Sequence, residues 1–163
     1  MASDLPDNRP ATPTVRRRLV NRIQKSALVP YSTGDMYALV ADVESYPQFL
    51  PWCNAASILS RDGNQVMARL SLAKSGIRHT FVTRNTLEAD RRIEMRLVEG
   101  PFKVLDGYWT FEPAGSGCLV ALRMDFAFAS KLLALTLGPI FSKITNTLVD
   151  AFVARAGDLH ARR

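Results

Sequence analysis

Histidine and cysteine are scarce in this sequence, with two of each among 163 residues. Cys53 and Cys118 lack the paired spacing of a structural zinc site. His79 and His160 fall on separate stretches and offer no ligand cluster. Two thiols make no disulfide framework, so a reduced interior is the simpler expectation. Long hydrophobic runs are missing too. The most apolar stretch, Phe126 to Phe141, is interrupted by Ser130, Lys131 and Gly138-Pro139. It falls short of the roughly twenty apolar residues that a membrane-crossing helix needs. Met1 to Pro13 carries Asp4, Asp7 and three prolines where a secretory leader would have a basic start and an apolar centre. No leader is expected, and the acidic residues also make a poor mitochondrial presequence.

Catalytic patterns are equally thin. Gly115-Ser116-Gly117 is too short for a nucleotide loop and reads as a turn. Nothing places either cysteine beside His79 as an activated nucleophile requires. Glu94, Glu99, Asp106 and Asp125 serve more simply as surface charge and turn support. An enzyme is not expected.

What is present describes one folded domain. The chain is 47% hydrophobic and 22% charged, ordinary values for a globular protein with a sizeable core. Its formal charge is +6, from 21 Lys plus Arg against 15 Asp plus Glu. The excess gathers in Arg16-Arg17-Arg18, in Arg22 and Lys25 just after, and in Arg162-Arg163. Such clusters favour RNA or anionic membrane surfaces, or simply keep tails solvated. Residues 1–20 read as a flexible basic extension, 21–160 as the domain and 161–163 as a basic tail.

Periodicity then gives the elements. A strand is expected over Asn21 to Val29, stopped by Pro30, and Ser32 can cap a short helix ending at Asp42. A second short helix or compact turn fits Glu44 to Leu50. A strand near Ala55 to Arg61 follows. Val66, Ala68, Leu70 and Leu72 then alternate with polar neighbours. Ile77, His79, Phe81, Thr83 and Asn85 share one phase, as do Ile93, Met95 and Leu97. Trp109 with Phe111, and Cys118 through Phe128, continue the pattern. This period of two marks strands packed on one face, and Asp62-Gly63-Asn64, Lys74-Ser75-Gly76, Ala89-Asp90 and Pro113 to Gly117 supply tight turns between them. After Phe128 the period lengthens. Leu133, Leu137, Phe141, Ile144, Leu148 and Phe152 fall on one face of a long helix, which Gly138-Pro139 should bend or divide. The expectation is an α+β domain, a curved seven-stranded antiparallel sheet gripping a C-terminal helix in the order βααββββββα.

Two segments carry a family resemblance. Tyr46-Pro47-Gln48-Phe49-Leu50-Pro51-Trp52-Cys53 and Gly100-Pro101-Phe102-Lys103-Val104-Leu105-Asp106-Gly107-Tyr108-Trp109 resemble the coenzyme-Q-binding START-like family. That family includes the bacterial ribosome association toxins called RatA. Lys25 to Ser32 and the terminal helix are also similar, so the resemblance spans about Asn21 to Leu159. It implies a START-like helix-grip fold with an apolar cavity. It further implies binding of ubiquinone or a related polyprenyl quinone in support of cellular respiration, as a lipid carrier or chaperone. The alternative it implies is binding to the large ribosomal subunit, which blocks subunit association.

A quinone site on this fold would draw on Phe49 and Trp52 at the entrance, Phe102 and Leu105 on the opposing loop, and Trp109 and Phe111 on the next strand. Leu137, Phe141, Ile144 and Leu148 would complete it from the helix. Lys103 and His79 are the candidate polar contacts. Each of these residues has core packing or solvation as its plainer role. Ribosome or anionic-surface contacts would come from Arg16, Arg17, Arg18, Arg22 and Lys25. The expected location is cytoplasmic, with transient membrane-surface contact through Leu132-Leu133-Ala134-Leu135.

Overall fold

The computed structural model describes residues 20–161. The chain opens with β1 (Asn21–Val29), followed by α1 (Thr33–Ala41) and a 3-10 helix (Val43–Gln48). Six strands follow: β2 (Cys53–Asp62), β3 (Gln65–Lys74), β4 (Ile77–Glu88), β5 (Arg92–Glu99), β6 (Phe102–Ala114) and β7 (Gly117–Phe128). The last element, α2 (Lys131–Ala161), is a helix of 31 residues. Neighbouring strands pair antiparallel in the order β1-β7-β6-β5-β4-β3-β2, which places β1 and β2 at opposite edges.

Local chemistry explains the junctions. The Ser32 hydroxyl accepts the Asp35 amide at 3.0 Å, satisfying one orphan donor at the start of α1. Ser130 does the same for Leu133 at the start of α2, at 3.1 Å. Two glycines of the Gly100-to-Trp109 stretch are set by close approach. Gly100 has φ +152°, and a Cβ there would lie 2.6 Å from that of Phe81. A Cβ on Gly107 would collide with the carbonyl of Arg123 and sit 2.8 Å from the Met124 Cα. Gly100 lets the β5–β6 turn lie against Phe81 of β4, and Gly107 lets β6 lie close to the backbone of β7.

The long helix stays unbroken through Pro139 and does not divide into two segments as the Gly-Pro pair suggests. Proline leaves the Leu135 carbonyl without its helical donor, and Leu135 is 76% exposed, so water can serve that group. By length and composition α2 could cross a membrane. Here Leu137, Phe141, Ile144, Thr145, Val149, Phe152 and Ala156 are buried along one face. That face packs on the inner side of the sheet against Trp109, Val120, Leu122 and Phe126.

The candidate ligand cavity

The backbone of α2 comes nearest to β1, β7 and α1. Toward β3, β4 and β5 the sheet curls away from the helix, and side chains must bridge a wider gap. They do so incompletely. A cavity of about 70 Å3 remains, walled by Ala68 and Leu70 of β3, Phe81, Thr83 and Asn85 of β4, and Met95 of β5. Leu105, Asp106 and Trp109 of β6 with Met124 of β7 continue the wall, and α2 closes it with Phe141, Ile144, Thr145, Leu148 and Phe152. Val43, Tyr46 and Trp52 line the side nearest the 3-10 helix.

Polar groups enter this apolar space at few points. The Thr83 hydroxyl donates to Asn85 Oδ1 at 2.9 Å, and both residues are 7% exposed. The Asn85 oxygen is therefore engaged, while its amide nitrogen has no hydrogen-bond partner among the described residues. Thr145 is less available, because its hydroxyl already donates to the carbonyls of Phe141 and Ser142 at 3.0 and 3.1 Å. The Tyr46 hydroxyl donates to the Val40 carbonyl at 2.5 Å, tying the 3-10 helix to α1. Burial pushes its phenol far above the ordinary range.

Of the proposed apolar contacts, Trp52, Leu105, Trp109, Phe141, Ile144 and Leu148 line this cavity, whereas Phe49, Phe102, Phe111 and Leu137 do not. Phe49 lies outside it, edge-on to Phe152 at 5.2 Å, with the Arg155 guanidinium over its ring. Phe102 is locked in an aromatic cluster, with ring centroids 4.8 Å from Phe141 and 5.3 Å from Phe128. Phe111 meets Tyr37 edge-on beneath α1, and Leu137 is fully buried in the core. Lys103 is exposed and His79 half-buried, and neither reaches the cavity. Arg22 forms a forked ion pair with Asp125 at 2.8 and 3.3 Å across the β1–β7 ladder. Lys25 is exposed on β1, while Arg16, Arg17 and Arg18 lie outside the described residues.

The residues that sequence reasoning missed include Tyr46, Ala68, Leu70, Phe81, Thr83, Asn85, Met95, Met124, Thr145 and Phe152. A usable signal did exist for two of them. Thr83 and Asn85 are polar residues at the buried end of a mixed inward phase, and buried polar groups need a partner or a purpose.

Covalent chemistry finds little support. Cys53 and Cys118 are free and buried, and burial raises both thiols, which keeps them protonated near neutrality. Among the described residues, no group of three or more His, Cys, Asp or Glu is placed to hold a metal ion.

Comparison with known proteins agrees with this architecture. The family model described as polyketide cyclase / dehydrase and lipid transport matches residues 29–153. Ribosome association toxin RatA of Escherichia coli is 43% identical over 143 residues, covering 87% of this chain and 90% of that protein. Mitochondrial coenzyme Q-binding protein COQ10 homolog B of Xenopus laevis is 27% identical over 144 residues, covering 85% of this chain and 59% of that one. In fold, a Thermus thermophilus protein superposes with a TM-score of 0.74 at 18% identity, covering 85% of this chain and 99% of that one. The chain thus belongs to the START-like polyketide cyclase / dehydrase and lipid transport family, near to the bacterial RatA toxins and more distant from the COQ10 proteins.

Proposed function

We propose that this protein acts on ribosomes in the cytoplasm, binding the large subunit and blocking its joining to the small one. The 43% identity to RatA across nearly the whole of both chains carries this reading. The cavity adds physical support. Small-molecule sites usually occupy about 300–1,000 Å3, and an engineered apolar cavity of roughly 150 Å3 accepts benzene. At about 70 Å3 the space leaves no room for a quinone ring, still less its tail, without movement of the walls.

The test is sedimentation of purified subunits with and without the protein, in magnesium that permits joining. A lower yield of joined ribosomes, with the protein migrating beside the large subunit, is the expected result. Unchanged joining at saturating protein would reject it.

A second reading is favoured by the cavity's chemistry, a mostly apolar lining with a half-free amide at Asn85 and Asp106 at its β6 wall. On that reading the cavity opens to admit a quinone or another apolar lipid, with Trp52 at its edge and Asn85 donating to a carbonyl. Native mass spectrometry of protein taken from quinone-replete cells would reveal the adduct. Loss of that adduct in Trp52→Ala or Asn85→Leu variants that remain folded would favour it, and repeated recovery of empty protein would count against it.

A further inference from the structure

The inner side of the sheet carries the cavity; the outer side has a feature that packing does not explain. Toward the β2 edge it carries three arginines whose cross-strand neighbours are uncharged or alike in charge. Arg69 on β3 lies opposite Ser57 on β2 and Val82 on β4. Arg78 lies opposite Ala73, and Ser71 sits between Ala55 and Thr80. Arg84 lies directly opposite Arg96 of β5, a like-charge pairing that works against the fold. Arg96 is relieved by Glu94 at 2.8 Å, and Arg92 approaches the same carboxylate at 3.6 Å. Arg69, Arg78 and Arg84 are all exposed and form no ion pair among the described residues. The carboxylates nearest to them in the register are Glu99, opposite Val82, and Glu94, opposite Thr86 and already paired with Arg96.

Beside these arginines lies a shallow depression of about 330 Å3. Ser57, Arg69, Ser71 and Thr80 line it together with Ala55 and Ala56. The Ser71 and Thr80 hydroxyls are 3.2 Å apart, bonded to each other and open to solvent. Small side chains leave the arginine heads unobstructed. Along β4, Arg78 and Arg84 are six residues apart, which at about 3.4 Å per residue spans roughly 20 Å, with Arg69 between them on the next strand.

We propose that this outer-face patch, Arg69, Arg78 and Arg84 with the hydroxyls of Ser57, Ser71 and Thr80, binds the sugar-phosphate backbone of structured RNA. The guanidinium fork matches phosphate oxygens in pairs. The hydroxyls suit 2′-hydroxyl and phosphate oxygens, the groups by which double-stranded RNA is recognised through shape. The patch recognises backbone without base specificity. An anionic lipid surface fits it less well, because the most exposed leucines lie away from it, Leu132 and Leu135 on α2 and Leu28 on β1 at the opposite edge of the sheet. The inference rests on the ribosome reading above and gives it a location. That location is the sheet edge opposite to β1, which carries Arg22 and Lys25.

The test measures binding of the full chain to purified large subunits, and to deproteinised ribosomal RNA, across a salt series. The triple variant R69T/R78T/R84T should lower the salt slope by about two to three and weaken binding at 0.15 M salt by about 50- to 150-fold, the loss expected for three phosphate contacts. R69K/R78K/R84K should keep binding within about tenfold, and K131T/K143T on α2 should match the wild type. Circular dichroism and melting of each variant separate loss of contact from loss of fold. If the threonine variant is folded and binds as the wild type does, the patch assignment is wrong while the ribosome reading stands. If it loses the subunit with no change in salt slope, and naked RNA is never bound, the partner is a ribosomal protein and the RNA assignment is overturned. Arginine-dependent binding to phosphatidylserine vesicles without RNA binding would overturn it in favour of lipid. A wild type that binds neither subunit nor RNA sinks both proposals.

Discussion

Truncating Phe141 to alanine probes the cavity and the core at the same point. The ring is 3% exposed, forms part of the cavity wall, and lies 4.8 Å from both Phe102 and Phe126 and 6.5 Å from Phe81. Removing it deletes roughly 100 Å3 of side chain, and at about 24 cal/mol per Å3 the unfilled space alone costs about 2.4 kcal/mol. With the transfer of the ring included, the total should be about 3–5 kcal/mol. The deleted volume also joins the existing cavity of about 70 Å3, carrying it past the roughly 150 Å3 that accepts benzene. Urea unfolding should therefore show the loss in Phe141→Ala, and benzene at ten times its Kd should restore about 1.4 kcal/mol to that variant. The wild type should gain nothing from benzene. Stabilisation of the wild type by benzene, or a cost below about 1 kcal/mol for the truncation, would refute the account of a tight aromatic wall around a space too small for a ring.

Gly107→Ala should destabilise by about 1–3 kcal/mol, because its methyl group meets the backbone of β7 rather than a movable side chain; urea midpoints measure it. Ser32→Ala should cost about 1 kcal/mol through the lost cap on α1, and Ser32→Asp should recover most of that in the same assay. Asp106 offers a pH test. Partial desolvation of this otherwise exposed carboxyl, and then Asp125 across the ladder, raise it above the ordinary range. Ionising it therefore costs the folded state, and stability is lost as pH rises from the unfolded value of about 3.9 through the raised folded one. Asp106→Asn should be the more stable protein above that window and match the wild type below it, measured by thermal melts across pH.

How much of the protein was legible varies with the kind of information. The strands were readable because a half-buried sheet imposes a period of two. Cys118, Val120, Leu122, Met124 and Phe126 all fall in the buried phase of β7. Ser32 was readable as a cap because its hydroxyl acts within three residues. Trp52, Leu105, Trp109, Phe141, Ile144 and Leu148 were reached through family resemblance, and the cavity does include them. The same reasoning placed Phe102, Phe111 and Leu137 beside them, and these instead fill core. Inward phase assigns a residue to a face; it does not say whether another side chain already occupies the space in front of it.

What the sequence by itself determined is the set of elements, their inward faces and the antiparallel connections, since propensity, capping and short turns all act locally. Only the tertiary structure decided where a space would remain, because that depends on how far the sheet curls from α2 between β3 and β5. It also decided that Arg84 faces Arg96 and that Arg69 stands among hydroxyls. Those neighbours arise from strand register, a relation between segments distant along the chain that no local pattern encodes.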